Sequence, residues 1–313
     1  DSRVISAATA PLSPSYPKKS LIGTVALVLS GMLGVGVALL LERLDNSLHT
    51  SQEVEETLGY AHLVSLPMVP KEKGPDGKVM SPQDYLLVKP LSSYSEALRS
   101  LRSALALSNV DNPPKVLLFT SALPNEGKTT TSISFARAAA ESGARTILID
   151  CDLRHPSVHK AFSGISPKAG LVEFLASKAT MEEVLAVDEK SGLHYIPIAS
   201  GAANPPDILA SQHMQRLLSE LRGNYDLVVL DSAPILPVSD SRVLSRLADK
   251  TVYVVRWAET PKDAAKGGIR ELKNYAADIA GIVLSAVDTT KQAKYGYGDG
   301  GYYYKRYSRY YVN

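Results

Sequence analysis

The chain contains 313 residues, 45% of them hydrophobic and 21% charged, the balance of an ordinary globular protein with room for one large or two ordinary domains. Its formal net charge of +2 carries no global signature of a nucleic-acid binder. A single cysteine, Cys151, excludes an internal disulfide and fits a reducing compartment for the segment that holds it.

In chain order, residues 1–19 end in TAPLSPSYPKK, whose prolines recur every third residue and favour an extended polyproline approach to a bilayer. The uncharged run Leu21 to Leu41 follows. At about 1.5 Å per residue it matches a hydrocarbon layer of roughly 30 Å, and the charged ERLD behind it acts as a stop. The run is too long for a signal-peptide core, and we read residues 20–42 as a transmembrane helix. Arg3, Lys18 and Lys19 before the span outnumber Arg43 just after it, so positive charge alone puts the N-terminus inside. Residues further along the chain argue for the opposite orientation and outweigh the count. Residues 43–90 read as a juxtamembrane helix over QEVEETLG, capped by Thr50 or Ser51 and ended by Gly59, and then a polar linker, PKEKGPDGKVMSPQ. The folded domain is expected over 91–290.

Within that domain, KVLLFT, RTILID, LHYIPI, YDLVVLD, TVYVVRW and AGIVLSAV alternate with helical stretches. Near-continuous aliphatic runs separated by helices predict an α/β fold with a doubly wound, mainly parallel sheet, whose ligands bind beyond the carboxyl ends of the strands.

The first of these strands leads into SALPNEGKTTT. Ala122 to Thr129 fit the phosphate-loop spacing G-x-x-x-x-G-K-[ST], with Ala122 in place of the first glycine. Gly127 lets the backbone close on phosphate, Lys128 binds the β- and γ-phosphates, and Thr129 binds Mg²⁺. Pro124, Asn125, Glu126, Thr130 and Arg154 complete the expected phosphate contacts. The second strand ends in TILIDCDLRHP, where Asp150 and Asp152 share one face of extended backbone, and YDLVVLDSAP ends in Asp231. Like charges so close are costly without a cation between them, so Thr129, Asp150, Asp152 and Asp231 are the candidate Mg²⁺ set and Lys128, Asp150, Asp152 and Asp231 the candidate catalytic set.

These three strings resemble the Walker A, A′ and B motifs of the bacterial tyrosine kinases, phosphate-loop enzymes unrelated in fold to eukaryotic protein kinases. The resemblance covers nearly the whole chain, because the proline-rich segment, the span and ERLDNSLHTSQEVEETLG are similar to the second span of polysaccharide co-polymerases. Ala122 for Gly, and Ala233 for the more usual Pro, are departures not expected to abolish binding. A partition-type ATPase places a second lysine where this chain has Leu123.

The resemblance implies a phosphate-loop NTPase fold, ATP and Mg²⁺ as cofactors, and transfer of the γ-phosphoryl group to tyrosine, with Asp150 favoured to orient or deprotonate the phenol and Asp152 to share the metal shell. It implies that Glu96, Arg99 and Arg102, which on pattern alone read as a solvated helical stripe, form a ring interface. It also implies a bacterial inner-membrane location with kinase domain and tail in the cytoplasm. The implied partners are further copies of the chain, modified in trans, a polysaccharide polymerase and export machinery, and a cognate tyrosine phosphatase; nucleic acid is not one of them.

Residues 291–313 form the expected flexible acceptor tail, in which Tyr295, Tyr297, Tyr302, Tyr303, Tyr304, Tyr307, Tyr310 and Tyr311 have no aliphatic partners. Phosphorylation adds about −1.5 to −2 charge per tyrosine. Repulsion from an acidic crevice is then expected to expel the tail and loosen the ring. Two other functions fit parts of this pattern: a nucleotide-binding membrane scaffold whose tyrosines sit at the membrane–water boundary, and a tail that stacks on nucleic acid.

Overall fold

The computed structural model describes residues 16–44, 46–74, 77–109, 111–162 and 167–292. The proline-rich residues 1–15 and the eight tail tyrosines lie outside the described residues. The chain divides into two units, Asp1–Asn46 and Ser47–Asn313.

The first unit is helix α1, Lys19–Leu44. Over Lys19–Val37 its mean hydropathy is 2.0, and none of that stretch is buried. Nineteen residues of helix extend about 28 Å, enough to cross a hydrocarbon layer. Leu21, Leu27, Met32 and Leu33 stand exposed with no apolar partner in their own unit, the arrangement that lipid and not water accommodates.

In the second unit, strands β1 (His62–Pro67), β2 (Val116–Ser121), β3 (Thr146–Asp150), β4 (Ala186–Asp188), β5 (Leu193–Ile196), β6 (Leu227–Asp231), β7 (Lys250–Arg256) and β8 (Ile279–Val287) form one sheet, ordered β1-β8-β7-β2-β6-β3-β5-β4. Every neighbouring pair is parallel except β4 with β5. All six runs read from the sequence are strands. Every residue of β2, β3 and β6 is buried, because helices cover both faces. Leu117, Phe119, Leu148 and Val229 pack one face, and Val116, Leu118, Ile147 and Val228 pack the other.

The folded unit begins earlier than the boundary expected at residue 91. Helix α2, Ser51–Leu58, has the expected caps: Thr50 Oγ1 accepts from the Glu53 amide at 3.1 Å, and Gly59 closes the helix at φ 72°. Instead of leading into a free linker, α2 buries Val54 and Leu58 beside Leu48, Trp257 and Leu272. The indole Nε1 of Trp257 donates to the His49 carbonyl at 2.8 Å, and the Ala258 amide donates to the Leu48 carbonyl at 3.0 Å. Strand β1 was not read as a strand, yet it adds a parallel edge to β8. The polar stretch taken for a linker is therefore a surface loop between β1 and helix α3, Pro82–Val88.

Helix α4, Ser93–Leu107, packs Leu98, Leu101 and Leu105 inward. Helix α5, Lys128–Glu141, follows the phosphate loop and buries Arg137 completely. That guanidinium donates to Asp188 at 2.9 Å, to Asp84 at 3.0 Å and to the Gln83 carbonyl at 2.7 Å, and lies 4.8 Å from the centre of the Phe162 ring. It ties α5 to α3 and to the β4–β5 edge. Removing one partner from such a buried network leaves uncompensated charge and typically costs about 3–5 kcal/mol. Arg137→Ala is expected to lose that much stability in denaturant titration of the full chain, whereas Arg145→Ala, whose pair with Asp226 is exposed, changes it by less than about 1 kcal/mol.

Candidate active site

The site lies where β2, β3 and β6 end, because a doubly wound sheet opens a crevice at its carboxyl edge. Strand β2 runs into the loop 121–127, and α5 starts at Lys128. Two left-handed residues shape the loop, Asn125 at φ 65° and Gly127 at φ 87°. A Cβ on Gly127 would come within 3.1 Å of Ser285 Oγ, so this position needs glycine for both its conformation and its space. The resulting loop aims the amides that open α5 into the crevice, where an anion is stabilised.

The crevice has a volume of about 1030 Å³, and Pro124, Asn125, Gly127, Lys128, Thr129, Thr130, Asp152 and Arg154 all line it. Lys128 Nζ sits 3.0 Å from Asp152 Oδ2 and 3.3 Å from Thr129 Oγ1. Burial favours the neutral amine, but the charges of Asp231, Asp152 and Asp150 prevail and raise the lysine pKa, so Lys128 is a cation.

The Glu126 side chain does not face the crevice, which leaves its backbone amide for the expected phosphate contact. It is buried and turned back into the loop, where Oε2 accepts from the Leu123 amide at 2.6 Å and Oε1 from the Thr260 hydroxyl. Arg256 donates to the Asn125 carbonyl at 3.0 Å, and Ser285 donates to the Glu126 carbonyl at 2.6 Å. Thr260, Arg256 and Ser285 thus hold the phosphate loop from the ends of β7 and β8. Sequence reasoning missed them because they lie far from the motif in the chain and share no pattern with it.

The two aspartates of β3 and its following turn separate in environment. Asp150 is fully buried and away from the crevice wall. Its Oδ1 accepts from the Asp152 amide at 3.2 Å and its Oδ2 from the Ser157 and Val158 amides at 3.2 and 3.1 Å. It is therefore poorly placed for the phenol-facing role expected of it, and Asp152 occupies the wall instead. Asp231 pairs in register with Asp150 across the sheet. Both its oxygens are buried, and neither makes a well-aligned hydrogen bond, although the Thr129 and Ser132 hydroxyls lie close. Burial raises its pKa, against the pull of Lys128 and the hydroxyls of Thr129 and Ser132. Burial and the Asp231 charge push Asp150 up to about 8.

These shifts make a signed prediction. An acid whose folded pKa lies above its unfolded value keeps a proton that the unfolded chain releases, so stability falls with rising pH until the folded pKa is passed. His159, whose pKa is lowered by burial and then by Lys160, acts in the opposite sense only below its ordinary 6.5. The stability of the nucleotide-free chain is expected to fall between pH 6.5 and 8, at no more than roughly 1.4 kcal/mol per pH unit for one group, and its melting temperature to fall with it. A flat or rising profile would contradict the buried-carboxylate reading.

The orphaned oxygens of Asp231, together with Thr129 and Asp152, are hard donors that suit Mg²⁺. Among the described residues no three His, Cys, Asp or Glu side chains converge to cage a metal alone. Mg²⁺ is compatible with that, since it keeps waters and takes its remaining oxygens from substrate phosphates.

Arg154 reaches the crevice wall while its guanidinium holds buried Asp240 through contacts of 3.0 and 3.2 Å. Among the described lining residues Asp152 is the one acid, facing Lys128, Arg154, Lys160 and Arg256. The expected acidic crevice is thus basic at its surface, because Asp150 and Asp231 lie beneath it. Glu96, Arg99 and Arg102 lie apart from this site on α4, opposite its buried Leu98 and Leu101. There Glu96 and Arg99 pair at 2.7 Å, and Arg102 donates to Ser142.

A family profile described as an AAA domain matches residues 125–281, from the phosphate loop into β8. The tyrosine-protein kinase YwqD of Bacillus subtilis is 33% identical over 211 residues, which is 67% of this chain and 89% of that protein. The succinoglycan biosynthesis transport protein ExoP of Rhizobium meliloti is 30% identical over 336 aligned positions, 99% of this chain and 42% of ExoP. The solved kinase domain of the Escherichia coli tyrosine kinase ETK superposes with a TM-score of 0.71 at 28% identity, over 77% of this chain and 95% of that domain. The chain spans about two fifths of the length of the longer curated relatives it matches. With the profile spanning half of its residues and a tyrosine kinase matched over most of that protein's own length, the chain belongs to the bacterial tyrosine-kinase family.

Proposed function

We propose that the chain is an ATP-dependent protein-tyrosine autokinase, anchored in the bacterial inner membrane by α1, that phosphorylates its own tail tyrosines in trans. The observation that carries this reading is the Lys128–Asp152 pair on the wall of a crevice framed by a phosphate loop, with Asp231 orphaned behind it. The loop amides would seat the phosphates of ATP, and Lys128 would turn from Asp152 to their charge. Asp152, freed of its cation, accepts the phenol proton as the tyrosine oxygen bonds to the γ-phosphorus and the bond to ADP breaks. Mg²⁺, which Thr129 and Asp231 would hold, would supply charge neutralisation on the phosphates. Asp150 fixes the turn that presents Asp152. The phosphate contacts are Pro124, Asn125, the Glu126 amide, Gly127, Thr130 and Arg154.

Glu96, Arg99 and Arg102 form the contact between copies that brings one chain's tail to its neighbour's crevice. The names of relatives that act in succinoglycan biosynthesis transport support a role in polysaccharide polymerisation and export, with a tyrosine phosphatase resetting the tail. The test mixes two full chains in detergent micelles with labelled ATP and Mg²⁺: Lys128→Met with its tail intact, and a catalytically intact chain truncated after Gln292. Label on the Lys128→Met chain is expected. ATP turnover without label on either chain would contradict the reading.

A further inference from the structure

The crevice, about 1030 Å³, is lined differently on its β7 and β3 sides. The phosphates are fixed at Lys128 and the start of α5. Asn125 and Arg256 lie on the β7 side of that point. On the β3 side, beside Asp152, the base assigned above to the acceptor, the wall includes Arg154, His155, Ser157 and Lys160. The Lys160 ammonium has no ion-pair or hydrogen-bond partner among the described residues, and neither has the His155 ring; both side chains are exposed. This acceptor-side wall meets a tail with five basic residues, Lys291, Lys294, Lys305, Arg306 and Arg309, against one acid, Asp299. An unmodified tail has little to offer such a wall.

A tail that already carries phosphate has a strong ligand for it. In extended backbone, residues two apart project to one side about 6.8 Å from each other. Tyr295 with Tyr297, and Tyr302 with Tyr304, have that spacing. When one tyrosine of such a pair lies at Asp152, its already phosphorylated partner reaches along the wall towards Lys160 and His155. Phosphate binds ammonium and imidazole N–H donors through charge-assisted hydrogen bonds, which are the strong ones.

We propose that Lys160 and His155 form a phosphotyrosine subsite, so that the first transfer holds the tail for the next and modification is processive. The proposal rests on the autokinase reading and reverses the expulsion expected from the sequence. In it, Lys160 and His155 are specificity determinants for a primed acceptor and take no part in the transfer itself.

Two measurements on the full chain test it. Intact-mass spectrometry follows the number of phosphates against time. In the unaltered chain the singly phosphorylated species stays minor. In the Lys160→Ala, His155→Ala double variant it accumulates, with the second addition slowed about tenfold relative to the first. Lys160→Arg restores the original pattern, which loss of a merely structural residue would not predict. An unchanged ratio of second to first addition in the double variant would overturn the proposal.

The second measurement needs no catalysis. The Lys128→Met chain is titrated with a synthetic peptide of residues 300–311, with or without phosphate on Tyr304. About tenfold tighter binding of the phosphopeptide, lost when Lys160→Ala is added, is expected; equal binding of the two peptides would overturn the subsite. A chain that makes no phosphotyrosine at all would sink the autokinase reading, while the peptide titration still decides the subsite separately.

Discussion

Lys128→Met is expected to reduce phosphotyrosine formation by about a thousandfold or more, the largest effect of any single substitution in this chain. Phosphoryl transfer consists mainly of positioning and charge neutralisation, and removing one preorganised donor from such a site costs on the order of 10²–10³ in rate. Lys128 does more than one donor's work, because it is the cation nearest the place where negative charge collects. The same substitution strands Asp152, whose side chain is 4% exposed and has lost its ion-pair partner. A stability loss of about 3 kcal/mol in the nucleotide-free chain is expected alongside the kinetic loss. Single-turnover transfer and denaturant titration measured on one preparation would show both. Transfer within tenfold of the unaltered chain would remove Lys128 from the mechanism.

Asp231→Asn should have the second-largest kinetic effect and little effect on stability. Its two oxygens are buried, and burial raises its pKa although Lys128, Thr129 and Ser132 pull it down. A neutral amide of nearly the same shape removes a charge that the fold accommodates badly. At pH 8 the smaller cost of burying an amide is offset by the lost attraction to Lys128, and the variant's stability is expected to stay within about 1 kcal/mol of the unaltered chain. Activity should nevertheless fall about a hundredfold or more, with a higher Mg²⁺ requirement, because the lost charge is the one that holds the metal. Such a split separates a functional residue from a structural one: a residue kept for the fold would lose stability and activity together. A destabilised Asp231→Asn chain that retained full activity would contradict the assigned role.

Much of this was legible before any coordinates. The six aliphatic runs are all strands because a parallel sheet buried on both faces leaves a signal in each strand separately. Lys128, Thr129, Asp152 and Arg154 meet at one crevice because each sits just past a strand end, and the sheet brings strand ends together. Strand β1 was not legible: HLVSLP is short, lies at the edge, and depends on β8, more than 200 residues later, for its partner. The difference between Asp150 and Asp152 was not legible either. Their spacing puts both on one face, but the turn after β3 wraps the Ser157 and Val158 amides around Asp150 alone. Glu126 and its partners Thr260, Ser285 and Arg256 belong to the same class, since contacts across the sheet leave no local pattern. The basic face of the crevice was hidden by the motif itself. Counting carboxylates along the sequence gives three, and burial then removes two of them from the surface that a substrate meets.

The central claim is that the crevice transfers phosphate to this chain's own tail. Its most direct test is site mapping by mass spectrometry on the full chain after incubation with ATP and Mg²⁺, beside the Lys128→Met chain treated identically. Phosphate on several of Tyr295, Tyr297, Tyr302, Tyr303, Tyr304, Tyr307, Tyr310 and Tyr311, and none in the Lys128→Met chain, is the predicted result. Nucleotide bound and hydrolysed by the unaltered chain with every one of those tyrosines unmodified would contradict it.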